Sequence, residues 1–464
     1  MAFATLGCKV NQYDTEAMTA LFRRAGYEVG DFAGIVDVYV INTCTVTGKG
    51  AAKSRQLVRQ ATRRNPGAVV IVAGCYPQTA VEEVLAIPGV SIALGTHDRG
   101  RVVELAEEAI ASGSAGDAVE RKRIPISAVG EIRKAREFEE TPIEEFAGRT
   151  RAAVKVQEGC NQYCTYCIIP YARGPVRSRR PESIRQEVER LAAAGFKEVV
   201  LTGIHLGSYG LDLMAATAAP SPGAANPAGV TTGPPPTLAT IIRVIREIRG
   251  IERIRLSSLE PRHITDELID LIANQPKVCR HLHLSLQSGS DEILRRMRRR
   301  YETVEYRSIV ERIRRAVPEI GLSTDVMVGF PGETEGLFQA SCRFVREMAF
   351  SRLHVFPYSP RRGTPAAEYP NQVPGDVKDE RARRLIALGH ELALDFHRRF
   401  EGSTMEILVE EEPSAGAEEN LEGYTDNYVR VVLKGPDALR NRLVRVRMVR
   451  AESELVHGEL EKDS

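Results

Sequence analysis

The strongest constraint on the fold is a rhythm of short apolar runs, each followed by a stretch of helical periodicity. In the first 100 residues the runs are FATL (3–6), VDVYVI (36–41) and AVVIVA (68–73). Short continuous runs of this kind read as parallel strands buried on both faces. Helical patterns lie between them near 14–26 and 49–64, and RNPG (64–67) stops the second. This βαβαβ succession predicts a doubly wound parallel sheet. From about 151 to 375 the rhythm resumes. AAVKVQ (152–157), EVVLTG (198–203), RIRLSSL (253–259), HLHLSLQ (281–287), LSTDVMVG (322–329) and RLHVFPY (352–358) alternate with helical patterns such as 182–194, 238–249, 265–274 and 303–316. Repeated βα units of this size predict a full or partial (β/α)6 barrel.

The rest of the chain follows other rules. Residues 379–402 form one amphipathic helical pattern ending at Gly402, and the short alternating strands beyond it predict a small all-β barrel. The polar stretch around 112–150 reads as a linker. LMAATAAPSPGAANPAGVTTGPPP (213–236) is rich in Ala, Pro and Gly and has no periodicity, so it reads as a flexible surface insertion. The expected α/β architecture is therefore an N-terminal sheet at 1–112, a linker at 113–150, a barrel at 151–378, a connecting helix at 379–401 and a β-barrel at 402–460.

No apolar run approaches the roughly 18 residues of a membrane span, and the N-terminus shows no secretory pattern. The expectation is a cytoplasmic protein with no membrane partner. Net charge is only +1. The basic stretches KSRQLVRQATRR (53–64), RGPVRSRR (173–180) and RRMRRRY (295–301) each suit a solvated helix face, and together they also suit an anionic partner.

Eight cysteines in 464 residues are too few for a disulfide scaffold. Cys160, Cys164 and Cys167 are spaced C-x3-C-x2-C directly after the first barrel strand, at the end where parallel barrels carry their chemistry. Zinc would want a second knuckle to close a tetrahedron, and none is present. Cys279 and Cys342 are isolated and read as core residues. A [4Fe–4S] cluster normally takes four thiolates, so three leave one iron open. Cys8, Cys44 and Cys75 are too far apart in sequence for spacing alone to distinguish them from core cysteines. Their placement is more telling: each follows the end of a predicted strand, in FATLGC, VYVINTC and VVIVAGC. Such ends share one edge of an open parallel sheet, where ligands bind. The expectation is a second three-thiolate cluster.

The C-x3-C-x2-C loop with Tyr166 resembles the radical S-adenosylmethionine (SAM) superfamily. TLGCKVNQYDTEAM, VINTCTVTGKGAAKSRQ, VAGCYPQ, VQEGCNQYCTYCIIPYARGPVRSR, LTGIHLGSYG and FPYSPRRGTPA extend the resemblance over nearly the whole chain, to the methylthiotransferase family within it. That family has an N-terminal methylthiotransferase domain, a partial radical SAM barrel and a C-terminal TRAM domain that binds RNA. GCKVNQYDTE resembles the branch acting on threonylcarbamoyladenosine in tRNA. The branches acting on isopentenyladenosine and on a ribosomal-protein aspartate read differently there and remain the alternatives.

The resemblance implies two [4Fe–4S] clusters, on Cys8, Cys44 and Cys75 and on Cys160, Cys164 and Cys167, with SAM as cosubstrate. One SAM would methylate a sulfur on the first cluster. A second, bound at the other, would yield the radical that abstracts hydrogen from adenine C2 at position 37. Gly203, Ile204, His205, Ser258, Glu260, Gln287 and Asp325, at barrel strand ends, would line the SAM and substrate cavity. As lone histidines, His205 and His263 each read more readily as structural. The implied partners are a tRNA with an ANN-decoding anticodon loop, a low-potential electron donor and a sulfur donor. A single-stranded loop can be read by basic and aromatic residues. The candidates are Arg177, Arg179 and Arg180 after the cysteine loop, and Tyr428, Arg430, Lys434 and Arg445 on the C-terminal barrel, with Tyr424, Arg442 and Arg447 beside them.

Overall fold

The computed structural model describes residues 1–45, 48–114, 125–141, 143, 150–213, 235–410 and 420–461. Most of the expected insertion at 213–236 and much of the expected linker lie outside them. No described helix is long and apolar enough to cross a membrane.

The N-terminal sheet is parallel throughout, with β1 (Ala2–Thr5), β2 (Val38–Thr43), β3 (Val69–Gly74), β4 (Ile92–Leu94) and β5 (Ile126–Ala128) in that spatial order. An isolated parallel bridge from Ala2 to Gly30 adds a vestigial strand on the far side of β1. The chain therefore reverses direction at β1, which allows both faces to be covered. Side chains of α1 (Lys9–Arg24) and α5 (Val102–Ser114) pack on Val38, Val40, Ile71 and Leu94. Those of α2 (Gly48–Arg64), α3 (Cys75–Thr79) and α4 (Val81–Leu85) pack on Tyr39, Ile41, Val70 and Val72. Successive strand residues point to opposite faces, so a continuous apolar run serves both layers. One expectation needs correcting: residues 126–128, placed in the linker, are the edge strand β5.

The central unit has six parallel strands. β6 (Arg151–Glu158), β8 (Glu198–Gly203) and β9 (Arg253–Leu256) form one group, with the short antiparallel β7 (Arg177–Ser178) on the outer edge of β6. β10 (His281–His283), β11 (Gly321–Val328) and β12 (Arg352–Pro357) form the other. Parallel bridges Ile254–Val278 and Leu259–Leu284 join the groups into a partial barrel. Its helices include α6 (Ile169–Arg173) and α7 (Pro181–Ala193). From β9 onward the strands alternate over much of their length. Ile254, Leu256, Leu282, Leu284, Leu322 and Val326 belong to the core packed under the outer helices. The intervening residues are polar: Arg253, Arg255, His281, His283, Ser323, Asp325, Arg352 and His354. They meet across the lumen side, where Ser323 Oγ lies 3.0 Å from both His281 Nε2 and His283 Nδ1. Barrels of this kind are commonly filled by Val, Ile and Leu. A polar interior marks this one as a container for a polar ligand.

After the long helix α8 (Gly375–Arg398), β13 (Thr404–Val409), β14 (Leu421–Thr425), β15 (Arg430–Leu433), β16 (Leu443–Ala451) and β17 (Val456–Leu460) close into a five-stranded barrel. Phe396 and Phe400 plug its core. Its β14–β15 turn docks against the N-terminal ends of the central strands. There Arg253 Nη1 donates to Tyr424 O (2.7 Å), Arg255 Nη1 to Asp426 O (2.9 Å) and Asn427 Nδ2 to Glu319 O (3.1 Å).

Candidate active site between the sheet and the barrel

Strand register brings the first cysteines together. β1, β2 and β3 are neighbours, and Thr5 pairs with Asn42 and Thr43 with Gly74, so their C-terminal ends are level. Cys8 is the N-cap of α1, Cys44 follows β2, and Cys75 opens α3 directly after β3. Two glycines permit the approach. Gly7 (φ +109°) has no room for a side chain, since a Cβ there would lie 2.8 Å from Cys44 Cβ and 3.2 Å from its Sγ. Gly74 (φ +95°) would set a Cβ 2.8 Å from Thr43 O. Burial pushes the Cys75 thiol up to about 11, the charges of Cys44 and Cys8 add to this, and Arg173 opposes it.

The second set lies on the loop after β6. Cys160 N donates to Gly174 O (3.0 Å) and Cys167 N to Cys164 O (3.0 Å). Thr165 ties the loop to the barrel through Met297 O and Ala366 N. Burial raises the thiols of Cys160 and Cys167 to about 12; Cys164 raises both further, and Cys160 adds to the rise at Cys167. Three mutually repelling thiols in a buried loop form a donor set suited to a metal centre, which binds them as thiolates. The first set offers three thiols too, from three separate strand ends, with Cys75 buried, Cys44 half-buried and Cys8 exposed. Cys279 is buried away from them, near Arg255, and Cys342 is half-buried on an outer helix.

The cavity-lining candidates fall at one mouth of the barrel. Gly203 ends β8, where a Cβ would stand 2.8 Å from Gln157 Oε1. The turn at Ile204 follows, and His205 N donates to that same oxygen (2.7 Å). Glu260 lies 3.4 Å from His205 Nε2 and 2.8 Å from Arg299 Nη1, whose guanidinium also reaches Cys164 Sγ (3.5 Å). Burial alone would raise the Glu260 carboxyl, but His205 and Arg299 hold it at about 2. Burial and His205 lower His263 to about 4, so it is neutral at physiological pH. Gln287 has φ +68° and a buried Oε1 with no hydrogen-bond partner among the described residues. Strained backbone with an unsatisfied acceptor is characteristic of a ligand site. Ser258 is exposed at the same mouth, and Asp325 accepts from His283 Nε2 (3.0 Å) deeper in the lumen.

The RNA candidates divide. Arg177 is 1% exposed and donates to the carbonyls of Pro175 and Arg173; Arg179 is 2% exposed and bonds Glu187 and Glu140. Neither is presented to a phosphate, which corrects the expectation from sequence. Tyr428 is likewise turned inward: the Arg255 guanidinium lies over its ring at 4.4 Å, and Arg151 Nη1 donates to its hydroxyl (3.1 Å). Arg430 is neutralised by a bidentate pair with Glu422 (2.8 and 2.9 Å). Arg180, Lys434, Arg442, Arg445 and Arg447 are exposed.

Sequence reading missed the group that fastens the two units together. Asp14 on α1 receives Arg99 (2.9 Å), Lys155 (2.6 Å) and Arg173 (2.8 Å), and Glu158 receives Lys155 and Arg173 (both 3.2 Å). All five are buried. Glu139 adds a third carboxylate at 3.0 Å from Arg99. Burial would raise the Asp14 carboxyl, but the three cations hold it well below the usual carboxylate range. Arg173 also donates through Nε to Cys75 Sγ at 3.3 Å and through Nη2 to Asn11 Oδ1. It stands only six residues after Cys167, so α6 joins one thiol set to the other.

A partial parallel barrel with three thiols on its first loop defines a radical SAM enzyme, and residues 154–345 match the profile of the radical SAM superfamily. Residues 1–95 match a family described as uncharacterized protein family UPF0004. The fold resembles the radical SAM methyltransferase TsrM of Kitasatospora setae (TM-score 0.56, 17% identity, 79% of this chain and 76% of that one). Over its full length, the chain belongs to the radical SAM tRNA methylthiotransferase family. It is 45% identical to the threonylcarbamoyladenosine tRNA methylthiotransferase MtaB of Bacillus subtilis, over 97% of this chain and 94% of that one. It is 38% identical to the protein of that name in Aquifex aeolicus (96% and 99%). Identity is 35% to the tRNA-2-methylthio-N(6)-dimethylallyladenosine synthase of Bacillus subtilis (98% and 84%).

Proposed function

We propose that the protein attaches a methylthio group to C2 of N6-threonylcarbamoyladenosine at position 37, beside the anticodon of tRNAs with ANN-decoding loops. The observation that carries this reading is the pair of separate thiol triads joined by Arg173 at the mouth of a polar barrel, in a chain whose relatives of higher identity are named for that nucleoside.

Cys160, Cys164 and Cys167 would hold one [4Fe–4S] cluster and Cys8, Cys44 and Cys75 the other, each one thiolate short of the usual four. When bound, the clusters and SAM supply the electron, the carbon radical and the methylthio sulfur that an unactivated ring C–H bond requires. The protein's task is to bind, orient and exclude water. Arg299 and Arg173 place guanidinium donors 3.5 and 3.3 Å from the sulfurs of Cys164 and Cys75, positive charge that would face the ligating sulfurs. Glu260, held ionised by His205 and Arg299, presents a carboxylate that suits hydroxyl or ammonium groups of SAM. Gln287 Oε1 and the Gly203–His205 turn offer an acceptor and close backbone beside it. The target base must leave its stack to enter the barrel, as for other enzymes that act on a base. A low-potential electron donor and a sulfur donor complete the system.

Anaerobic incubation of reconstituted protein with SAM, reductant and tRNA carrying threonylcarbamoyladenosine, followed by nucleoside mass analysis, tests the proposal. The methylthiolated nucleoside is the expected product. Product only from isopentenyladenosine tRNA, or only on a ribosomal protein, would overturn the substrate.

A further inference from the structure

The motif FPYSPRRGTPA runs out of β12, and its two arginines have no part in the site above. Thr364 N and Oγ1 both donate to Arg361 O (3.0 and 2.7 Å), and Gly363 takes φ +86°. Residues 361–364 are therefore a closed, hydrogen-bonded turn. Two residues on, Ala366 N donates to Thr165 O (2.9 Å), which ties the turn to the cysteine loop.

This turn forms one wall of a cavity of about 500 Å³, a size ordinary for ligand pockets. The facing wall belongs to the N-terminal unit and includes Thr45, Tyr76 and Thr79, with Glu82 and Glu83 on α4. Three of the lining residues directly follow thiols: Thr45 follows Cys44, Tyr76 follows Cys75 and Ile168 follows Cys167. The cavity thus opens beside both triads.

Arg361 differs from the other enclosed arginines. Arg173, Arg179, Arg255 and Arg299 each hold a carboxylate. Arg361 is half-buried, and its Nη2 donates to the Ser359 hydroxyl (3.1 Å). Its Nε is buried with no hydrogen-bond partner among the described residues, and no carboxylate there pairs with it. A partly desolvated guanidinium without a counter-ion is costly to keep. Arg362, exposed on the same turn, lines the same cavity. Across from them, Glu83 already accepts from the Tyr76 hydroxyl (3.3 Å), which Arg55 Nη1 also reaches (3.2 Å).

We infer that this cavity holds a nucleotide adjoining the target in the anticodon loop, with the phosphate that joins the two on Arg361 and Arg362. The inference rests on the tRNA reading above. The target base has to lie between the triads, so its neighbour along the strand reaches the space beside them. Guanidinium groups suit a phosphate, and carboxylates on the facing wall suit the exocyclic amino groups of a base. Arg361 is a positioning residue: it fixes the strand on which the target base sits.

The test measures binding of anticodon stem-loop RNAs carrying threonylcarbamoyladenosine to the anaerobically reconstituted protein by fluorescence anisotropy. One RNA is unaltered; two others carry a neutral methylphosphonate in place of the phosphate on the 5′ or the 3′ side of nucleotide 37. One of these replacements should weaken wild-type binding by about 10-fold, the worth of one charge-assisted hydrogen bond. Arg361→Gln should weaken the unaltered RNA by a similar factor, lose nothing further on that replacement, and lower the salt slope by about 0.7. Arg362→Gln, at an exposed position, should show the same lack of additivity. Iron content equal to wild type certifies that each variant is assembled. Indifference of the wild type to both replacements, or losses that multiply in both variants, would overturn the inference. A wild type that binds dimethylallyladenosine RNA as tightly would overturn the substrate reading and leave the phosphate contact standing.

Discussion

Arg173 Nε donates to Cys75 Sγ at 3.3 Å, while the same guanidinium holds Asp14 (2.8 Å) on the helix that begins beside Cys8. One side chain from the barrel's cysteine loop thus serves a thiol of the other unit. A cationic donor on a ligating sulfur stabilises the more negative, reduced state of the metal centre. Arg173→Met should therefore lower the midpoint potential of the cluster on Cys8, Cys44 and Cys75. The check is an EPR-monitored redox titration in a background lacking Cys160, Cys164 and Cys167. An unchanged potential would show that the contact has no electronic role.

The two thiol triads have separable duties. Cys44→Ala should still generate 5′-deoxyadenosine from SAM, while methylthiolated nucleoside disappears. Loss of both activities in a variant that retains the other cluster would argue against this division.

Gly7→Ala should empty the N-terminal site with all three cysteines still in place. The substitution strains a positive φ by about 1–3 kcal/mol and drives a methyl against Cys44. Iron per chain after reconstitution should fall toward half. Full iron loading would show that the β1 turn can yield.

Asp14 secures three buried cations, so Asp14→Asn should destabilise the folded protein by about 3–5 kcal/mol. Its carboxyl titrates lower in the folded chain than the ordinary Asp value near 4. The stability it contributes is present above that value and is lost as the pH falls below it. Thermal melts from pH 7 down to pH 3 should show a smaller acid-induced drop for Asp14→Asn than for wild type.

Charge reversal at Lys434 and Arg445 should weaken tRNA binding and flatten its dependence on salt, because each lost phosphate contact lowers the salt slope by about 1. Arg177→Gln, at a buried position, should affect folding rather than the slope. Binding isotherms at several salt concentrations distinguish the two outcomes.

Much of this was visible in the sequence for a physical reason: strand ends in a parallel sheet are level, so cysteines just past three adjacent strands must meet. The polar lumen went unread: HLHLSLQ and RIRLSSL read simply as strands, although their alternation is that of strands with two unlike faces. Arginines were where sequence reading failed. RGPVRSRR and RRMRRRY read as outward-facing charge, yet Arg173, Arg177, Arg179 and Arg299 are buried. A local pattern cannot reveal the carboxylates that make such burial tolerable when they lie as far away as Asp14 is from Arg173. Tyr428 misled for a similar reason, since nothing nearby in sequence announces that Arg255 is its neighbour.

The hydrophilic inner wall has a consequence for how such an enzyme can change. Most of the oily packing that keeps the strands in place lies on their outer side, under the helices. Inward residues are thus largely released from holding the scaffold together. A handful of exchanges there could retune which nucleotide is accepted while the shell stays standing, and the same shape could serve related chemistries on quite different guests.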